Sequence, residues 1–198
     1  MPPSAEIRKR IFDLGVAFLV LLLFGWIILI AWVIAALETG SNGFFIQSRV
    51  GRNGRIFKIF KIKTMRNDQD NKTTVTHSGD NRVTRSGLVF RRLKIDELPQ
   101  IWNVLIGDMS IVGPRPDVSG YADKLRGEDR IILSIRPGIT GPATLKYRNE
   151  EAILGQQSNP EEYNRNVIWP DKVQINLNYC REWTLWGDVK YIVKTLIG

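Results

Sequence analysis

"LGVAFLVLLLFGWIILIAWVIAAL", from Leu14 to Leu37, contains no charged residue. Wound as a helix rising about 1.5 Å per residue, it extends roughly 36 Å, enough for the ~30 Å hydrocarbon layer of a bilayer. A secretory leader has a shorter apolar core and a small-residue cleavage site. This run is longer and carries Trp26 and Trp32, so it reads as a retained membrane element rather than a leader or a buried soluble helix.

Its flanks conflict. Arg8, Lys9 and Arg10 precede it, which by the positive-inside rule places the N-terminus in the cytoplasm. A simple span would then export everything after residue 38. Yet Arg49, Arg52, Arg55, Lys58, Lys61, Lys63 and Arg66 follow, and they also belong inside. A re-entrant hairpin that enters and leaves by one face satisfies both flanks. Gly25, at the midpoint, would permit the turn; an ordinary glycine in a straight helix is an equal reading of the residues alone.

The remainder suits one domain with a sizeable core, since the whole chain has 198 residues. Lys and Arg outnumber Asp and Glu by 28 to 20, a net charge of +8, which favours an anionic partner: phosphate, nucleic acid or a membrane face. Cys180 is the only cysteine, so no internal disulfide can form, and His77 is the only histidine. A lone histidine without further His or Cys reads as a surface residue rather than a zinc ligand.

"FFIQSRVGRNGRIFKIFKIKTM" (44–65) reads as two strands joined at Asn53-Gly54, with lysines leaving one side wet and positive. Asn67–Ser86 is polar and reads as a long, functional loop. A helical stretch is expected near 119–134, and 136–150 is rich in turn formers. The C-terminal "WTLWGDVKYIVKTLIG" sets Leu185, Trp186, Val189, Ile192, Val193 and Leu196 on one side at helical spacing. That stripe suits a membrane interface or a packed core equally.

Chemistry concentrates in "LKIDELPQIWNVL" (93–105), where Asp96 and Glu97 adjoin in a basic neighbourhood. Pro99 is tolerated only in a first helical turn, so a helix is expected to start at or just before Asp96. An N-capping Asp is the structural explanation. The chemical one is a carboxylate poised beside a phosphate bound at the helix end. A carboxylate nears a diphosphate only if charge is neutralised, by a divalent cation or by basic side chains. Lys61, Lys63, Arg91, Arg115, Arg136 and Arg148 are available; any one alone reads more readily as a solvated surface charge.

The blocks "KRIFDL", "RVGRNGRIFKIFKIKTM", "RVTRSG", "KIDELPQIWNVLIGDMSIVGPRP" and "RPGITG" occur in this order in the bacterial sugar transferase family, the small monotopic polyprenyl-phosphate phosphoglycosyl transferases, which the chain resembles from Lys9 to about Leu196. The resemblance implies an α+β, mainly helical fold: a re-entrant membrane helix in residues 1–40, then a catalytic domain in 41–198 with a short β-hairpin and amphipathic interfacial helices. It implies transfer of sugar-1-phosphate from a UDP-sugar to polyprenyl (undecaprenyl) phosphate with release of UMP, on the cytoplasmic face of the bacterial inner membrane, as the first membrane step of capsule, O-antigen or glycoprotein glycan synthesis. By the same resemblance Asp96 is the nucleophile that holds the sugar phosphate covalently. Asp96 and Glu97 anchor Mg²⁺, and Lys61, Arg115 and Arg148 contact phosphate and nucleotide. The membrane hinge falls on Gly25-Trp26, where members usually carry Ser-Pro. Expected partners are the UDP-sugar, polyprenyl phosphate and membrane lipid, with a second copy of the chain left open and no nucleic acid. The rival reading is a non-catalytic basic module that binds anionic lipid or scaffolds glycan assembly; it gives Asp96-Glu97 no purpose.

Overall fold

The computed structural model describes residues 2–66 and 82–197. The reading of His77, and most of the expected Asn67–Ser86 loop, fall outside the described residues. Among the described residues the fold is mainly helical, with two small sheets.

Helix α1, Pro3–Thr39, is a single helix, unbroken at Gly25-Trp26 where the hinge is expected. At that position the Trp26 indole N–H donates to the Leu23 carbonyl at 2.9 Å. Both ends of α1 pack on the rest of the protein. Ala17, with Val16 and Val20 beside it, joins the main core, while Ala31 and Ala35 seat against Ile62 and Phe90. Alanine at these positions lets the helix backbone approach closely. Between the two contacts, Phe18, Leu22, Leu23, Trp26 and Leu29 are all more than half exposed.

Strands β1, Phe44–Val50, and β2, Ile56–Ile62, form the expected antiparallel hairpin, from Phe44 opposite Ile62 to Val50 opposite Ile56. Asn53 and Gly54 both take positive φ (58° and 77°), the geometry that selects Asn-Gly in tight turns. The expectation of one wet lysine face is corrected. Lys58 and Lys61 are three apart, so the two-residue period of a strand sends them to opposite sides. Lys58 is exposed, whereas Lys61 shares the inward side of Phe57 and Ile59.

Helix α2, Arg85–Arg92, is capped by Thr84, whose side chain accepts from Gly87 N–H. Helix α3, Gln100–Ile106, leads into β3, Ser110–Val112. The helical stretch expected near 119–134 is two 3-10 segments, Ala122–Lys124 and Gly127–Ser134. Strand β4, Gly138–Thr140, pairs in parallel with β3, a pairing the turn-rich 136–150 segment did not announce. Here three glycines pack backbone on backbone. A Cβ on Gly138 would lie 2.1 Å from the Gly113 nitrogen, and one on Gly141 2.3 Å from the Gly113 oxygen. Only glycine permits that crossing, which fixes the Gly113-Pro114-Arg115 turn.

Short helices α4 (Pro142–Lys146), α5 (Glu150–Gly155) and α6 (Pro160–Tyr163) follow. A π-helical segment, Asn164–Ile168, joins α6 to α7, Trp169–Arg181. Helix α8, Leu185–Ile197, packs Ile192 and Tyr191 on the main core and turns Leu185, Trp186, Val193 and Leu196 outward.

A buried polar cluster ties α1 to α8 and β3. Lys9 Nζ lies 2.7 Å from Asp188 Oδ2 and 3.7 Å from Asp13 Oδ1. Asp188 also accepts from Tyr179 O–H (2.8 Å) and Trp183 Nε1–H (2.9 Å), and Asp13 from Ser110 O–H (2.8 Å) and Ile111 N–H (3.1 Å). The "KRIFDL" block therefore serves as a latch between the first and last helices.

Candidate active site

Asp96 and Glu97 lie in a 3-10 turn, Ile95–Glu97, ahead of α3 rather than at a helical N-cap. Glu97 N–H bonds to Lys94 O, Leu98 N–H to Ile95 O and Ile101 N–H to Leu98 O, all at three-residue spacing. Pro99 has no N–H to donate, so the α-helical ladder begins only at Gln100. That corrects the expected helix start, and a helix as short as α3 does not supply the phosphate-binding end first envisaged. Lys94, just upstream, takes the left-handed conformation (φ 57°) that few non-glycine residues adopt. It turns the chain so that the two acids face β2 and the Arg115 turn.

The two carboxylates have different surroundings. Glu97 Oε1 receives Lys61 Nζ at 3.1 Å and Arg115 Nη2 at 2.5 Å, and Arg115 Nη1 reaches Oε2 at 3.3 Å. This two-pronged guanidinium contact is a strong, orienting form of charge-assisted bond. Burial alone would raise the Glu97 pKa, but Arg115 and then Lys61 outweigh it and hold the carboxyl well below its ordinary range. Among the described residues no cation bonds to Asp96. Its Oδ1 is buried without a hydrogen-bond partner, and the residue as a whole is half-buried. Burial, then the neighbouring Glu97 charge, raises its pKa, against the pull of Lys61, Lys94 and Arg91. A raised pKa means a more basic, more nucleophilic carboxylate. Burial lowers Lys61 despite Glu97.

Of the six candidate cations, Lys61 and Arg115 converge on the acids. Lys63 donates to Ser41 Oγ, Arg91 to Thr64 Oγ1, and Arg136 to Gly107 O. Arg148 donates to Lys194 O and Thr195 O at the end of α8, and among the described residues no hydrogen bond joins it to Lys61, Glu97 or Arg115. Three contributors escaped the sequence reading: Gln100, fully buried four residues after Asp96; Asn103, which clamps β2; and Asp117, beside Arg115.

The residues fit a magnesium ion in a restricted way. Glu97 is engaged by two cations, whereas Asp96 Oδ1 is a buried acceptor that no donor uses. Among the described residues no cluster of three or more His, Cys, Asp or Glu could form a complete protein cage. One carboxylate plus substrate oxygens is a common way of holding Mg²⁺.

Residues 4–198 match the family model of the bacterial sugar transferases, and the chain belongs to that family. It is 36% identical over 206 residues to the galactosyl transferase CpsE of Streptococcus agalactiae, covering 98% of this chain and 42% of that protein. It is 34% identical to the UDP-glucose:undecaprenyl-phosphate glucose-1-phosphate transferase of Caulobacter vibrioides, covering 98% of this chain and 70% of that protein. It is also 34% identical to the UDP-N-acetylgalactosamine-undecaprenyl-phosphate N-acetylgalactosaminephosphotransferase of Aeromonas hydrophila, covering 98% and 44%. The chain thus spans less than half the length of two of these relatives.

Proposed function

We propose that the protein transfers a sugar-1-phosphate from a UDP-sugar to a polyprenyl phosphate through a covalent aspartyl intermediate. The observation that carries this reading is the division of labour between adjacent acids: Glu97 is saturated by Lys61 and Arg115, while Asp96 is unpaired among the described residues and raised in pKa. The Asp96 carboxylate attacks the β-phosphorus, the bond from that phosphorus to the bridging oxygen breaks, and UMP leaves with the bond pair. A phosphate oxygen of the lipid then attacks the same phosphorus and expels Asp96, leaving a lipid diphosphate sugar. Glu97 fixes Lys61 and Arg115 beside the reacting phosphoryl oxygens, where their charge offsets the negative charge of the transition state. Mg²⁺ held by Asp96 and substrate oxygens would neutralise the diphosphate on approach. The names of the relatives, which act on undecaprenyl phosphate, support the substrate class.

The membrane assignment rests on α1. A helix straight across a bilayer cannot touch one globular body at both ends, whereas both ends of α1 do, with an exposed apolar middle. That favours α1 meeting the bilayer from one face, as an unbroken helix without the turn expected at Gly25, with the indole N–H of Trp26 finding its acceptor on the helix itself where hydrocarbon offers none. The outward stripe of α8 would then rest at the interface, with the catalytic domain on the cytoplasmic face of the bacterial inner membrane.

Detergent-solubilised protein should release UMP from at least one UDP-sugar in the presence of undecaprenyl phosphate and Mg²⁺. Asp96→Asn or EDTA should abolish release. Donor alone should leave a sugar-phosphate mass on the intact wild-type protein. Intersecting rather than parallel initial-rate lines, with no adduct, would refute the covalent route.

A further inference from the structure

Lys61 shares its side of the hairpin with two polar residues of β1. Residues directly opposite in an antiparallel pair point the same way, and Phe45 stands opposite Lys61, Gln47 opposite Ile59 and Arg49 opposite Phe57. Gln47 and Arg49 therefore lie on the face of Lys61. The Arg49 guanidinium is engaged in two directions: Nη1 donates to Pro116 O at 3.3 Å and Nη2 to Gln47 Oε1 at 2.6 Å. The next residue, Val50, donates its N–H to Asp117 O at 2.8 Å. The end of β1 thus grips both residues that follow Arg115. On the other side of Arg115, Gly138 N–H donates to Pro114 O at 2.8 Å. Pro114 and Pro116 have no N–H, so their carbonyls are the backbone handles they offer. Arg115 is slung between these anchors, with its guanidinium on Glu97. For stability alone Arg49 is an awkward choice. It is half-buried, and its Nε has no hydrogen-bond partner among the described residues. Burial, then the like charge of Arg115, lower its pKa against the pull of Asp117 and Glu97. An orphaned buried donor and a neighbouring guanidinium both work against folding.

We infer that Arg49, its fork set by Gln47, is the positioning residue of Arg115: its bond to Pro116 O fixes where the Arg115 guanidinium sits against Glu97, and so beside the reacting phosphate. The inference rests on the proposed function and deepens it. The Arg115 side chain is 42% exposed, whereas Pro116 is buried, so this cation is held by the backbone behind it more than by packing around it. An arriving phosphate competes with Glu97 for Arg115, and a turn without its tether would follow the phosphate. Arg49 gives Nη1 and Nη2 to protein acceptors and its Nε is buried. Its effect therefore runs through Arg115 and belongs in kcat rather than KM.

The test is a double-mutant cycle on adduct formation with Mg²⁺ and a saturating UDP-sugar: wild type, Arg49→Met, Arg115→Lys and the two together. Arg49→Met should slow adduct formation about tenfold or more, with the donor KM within about threefold of wild type. Arg115→Lys has already lost the two-pronged hold on Glu97, so in that background Arg49→Met should cost less than about threefold. A merely structural arginine would cost the same factor in both backgrounds. Similar factors therefore overturn the inference, as does a wild-type rate in Arg49→Met or a loss confined to KM. If Arg49→Met does not fold, or Arg115→Lys is inactive, Arg49→Lys and Gln47→Leu carry the test, since each keeps the positive charge at position 49 and loses the fixed fork. Both should be slowed severalfold at an unchanged KM, and a wild-type rate in either overturns the inference. A wild-type protein that forms no adduct overturns the covalent reading instead, and is told apart because no variant is needed to see it; UMP release with undecaprenyl phosphate then reads the same cycle.

Discussion

Replacing Lys9 by methionine should damage the protein more than replacing its partner Asp188 by asparagine. The buried cluster contains one ammonium and two carboxylates, with side chains only 7% (Lys9), 2% (Asp13) and 0% (Asp188) exposed. No other cation bonds to either carboxylate among the described residues. Lys9→Met leaves two buried negative charges facing each other across the space the ammonium filled, a change of about 3–5 kcal/mol. Asp188→Asn leaves a neutral Lys9–Asp13 pair: an amide oxygen at the Oδ2 position still accepts from Lys9 and Trp183, and the amide N–H at the Oδ1 position donates to the Tyr179 hydroxyl oxygen, whose own O–H turns to Val112 O; the loss is about one charge-assisted bond, about 1–2 kcal/mol. At roughly 2–4 °C per kcal/mol for a chain of this size, the midpoints should fall by about 6–20 °C and about 2–8 °C respectively. Thermal unfolding of both variants in the same detergent, at one scan rate, reads the difference directly. If Asp188→Asn is as damaging as Lys9→Met, the charge argument fails and the cluster acts by shape alone.

Asp117 and the glycine crossing offer two further tests. Burial pushes the Asp117 carboxyl up to about 6, against the opposing pull of Lys172, Arg49 and Arg115. A raised carboxyl favours folding fully below its unfolded value near 4 and loses that contribution as pH rises through about 6. Asp117→Asn should therefore be more stable than wild type at pH 7.5, by up to about 3 kcal/mol, and equal to it near pH 4; a gap independent of pH would refute the assignment. Gly138→Ala puts a Cβ 2.1 Å from the Gly113 nitrogen and should cost about 1–3 kcal/mol. It should also lower UMP release, because the Arg115 turn moves; unchanged activity in a destabilised variant would detach that crossing from the site.

The parts of the fold that were legible are those written in local chemistry. The uncharged run to Leu37 announces α1, Asn53-Gly54 announces the hairpin, and the adjacent acids before Pro99 announce the site. What stayed hidden depends on distant contacts. Strands of three residues, Ser110–Val112 and Gly138–Thr140, carry no periodicity to read, and their pairing rests on glycines that look like turn formers. Lys61 looked like a wet strand residue because its inward direction is fixed only once Ile59 has a core to enter. The stripe on α8 was equally good for core or surface. The residues that turn it outward are Asp188, Tyr191 and Ile192, and the need to bury an aspartate is visible only when Lys9 arrives.

That arrival has a schedule. Lys9 and Asp188 are separated by 179 positions, and a ribosome adding about 5–20 residues per second takes roughly 10–35 s to cover them. During that interval the first helix exists, fully apolar over its middle, while the aspartate that will hold it has not been made. The nascent chain must therefore park α1 in lipid or on a chaperone before its permanent lodging is available. The latch closes only after α8 has been made, and a chain cut short before α8 keeps its greasy helix and loses the means to fasten it.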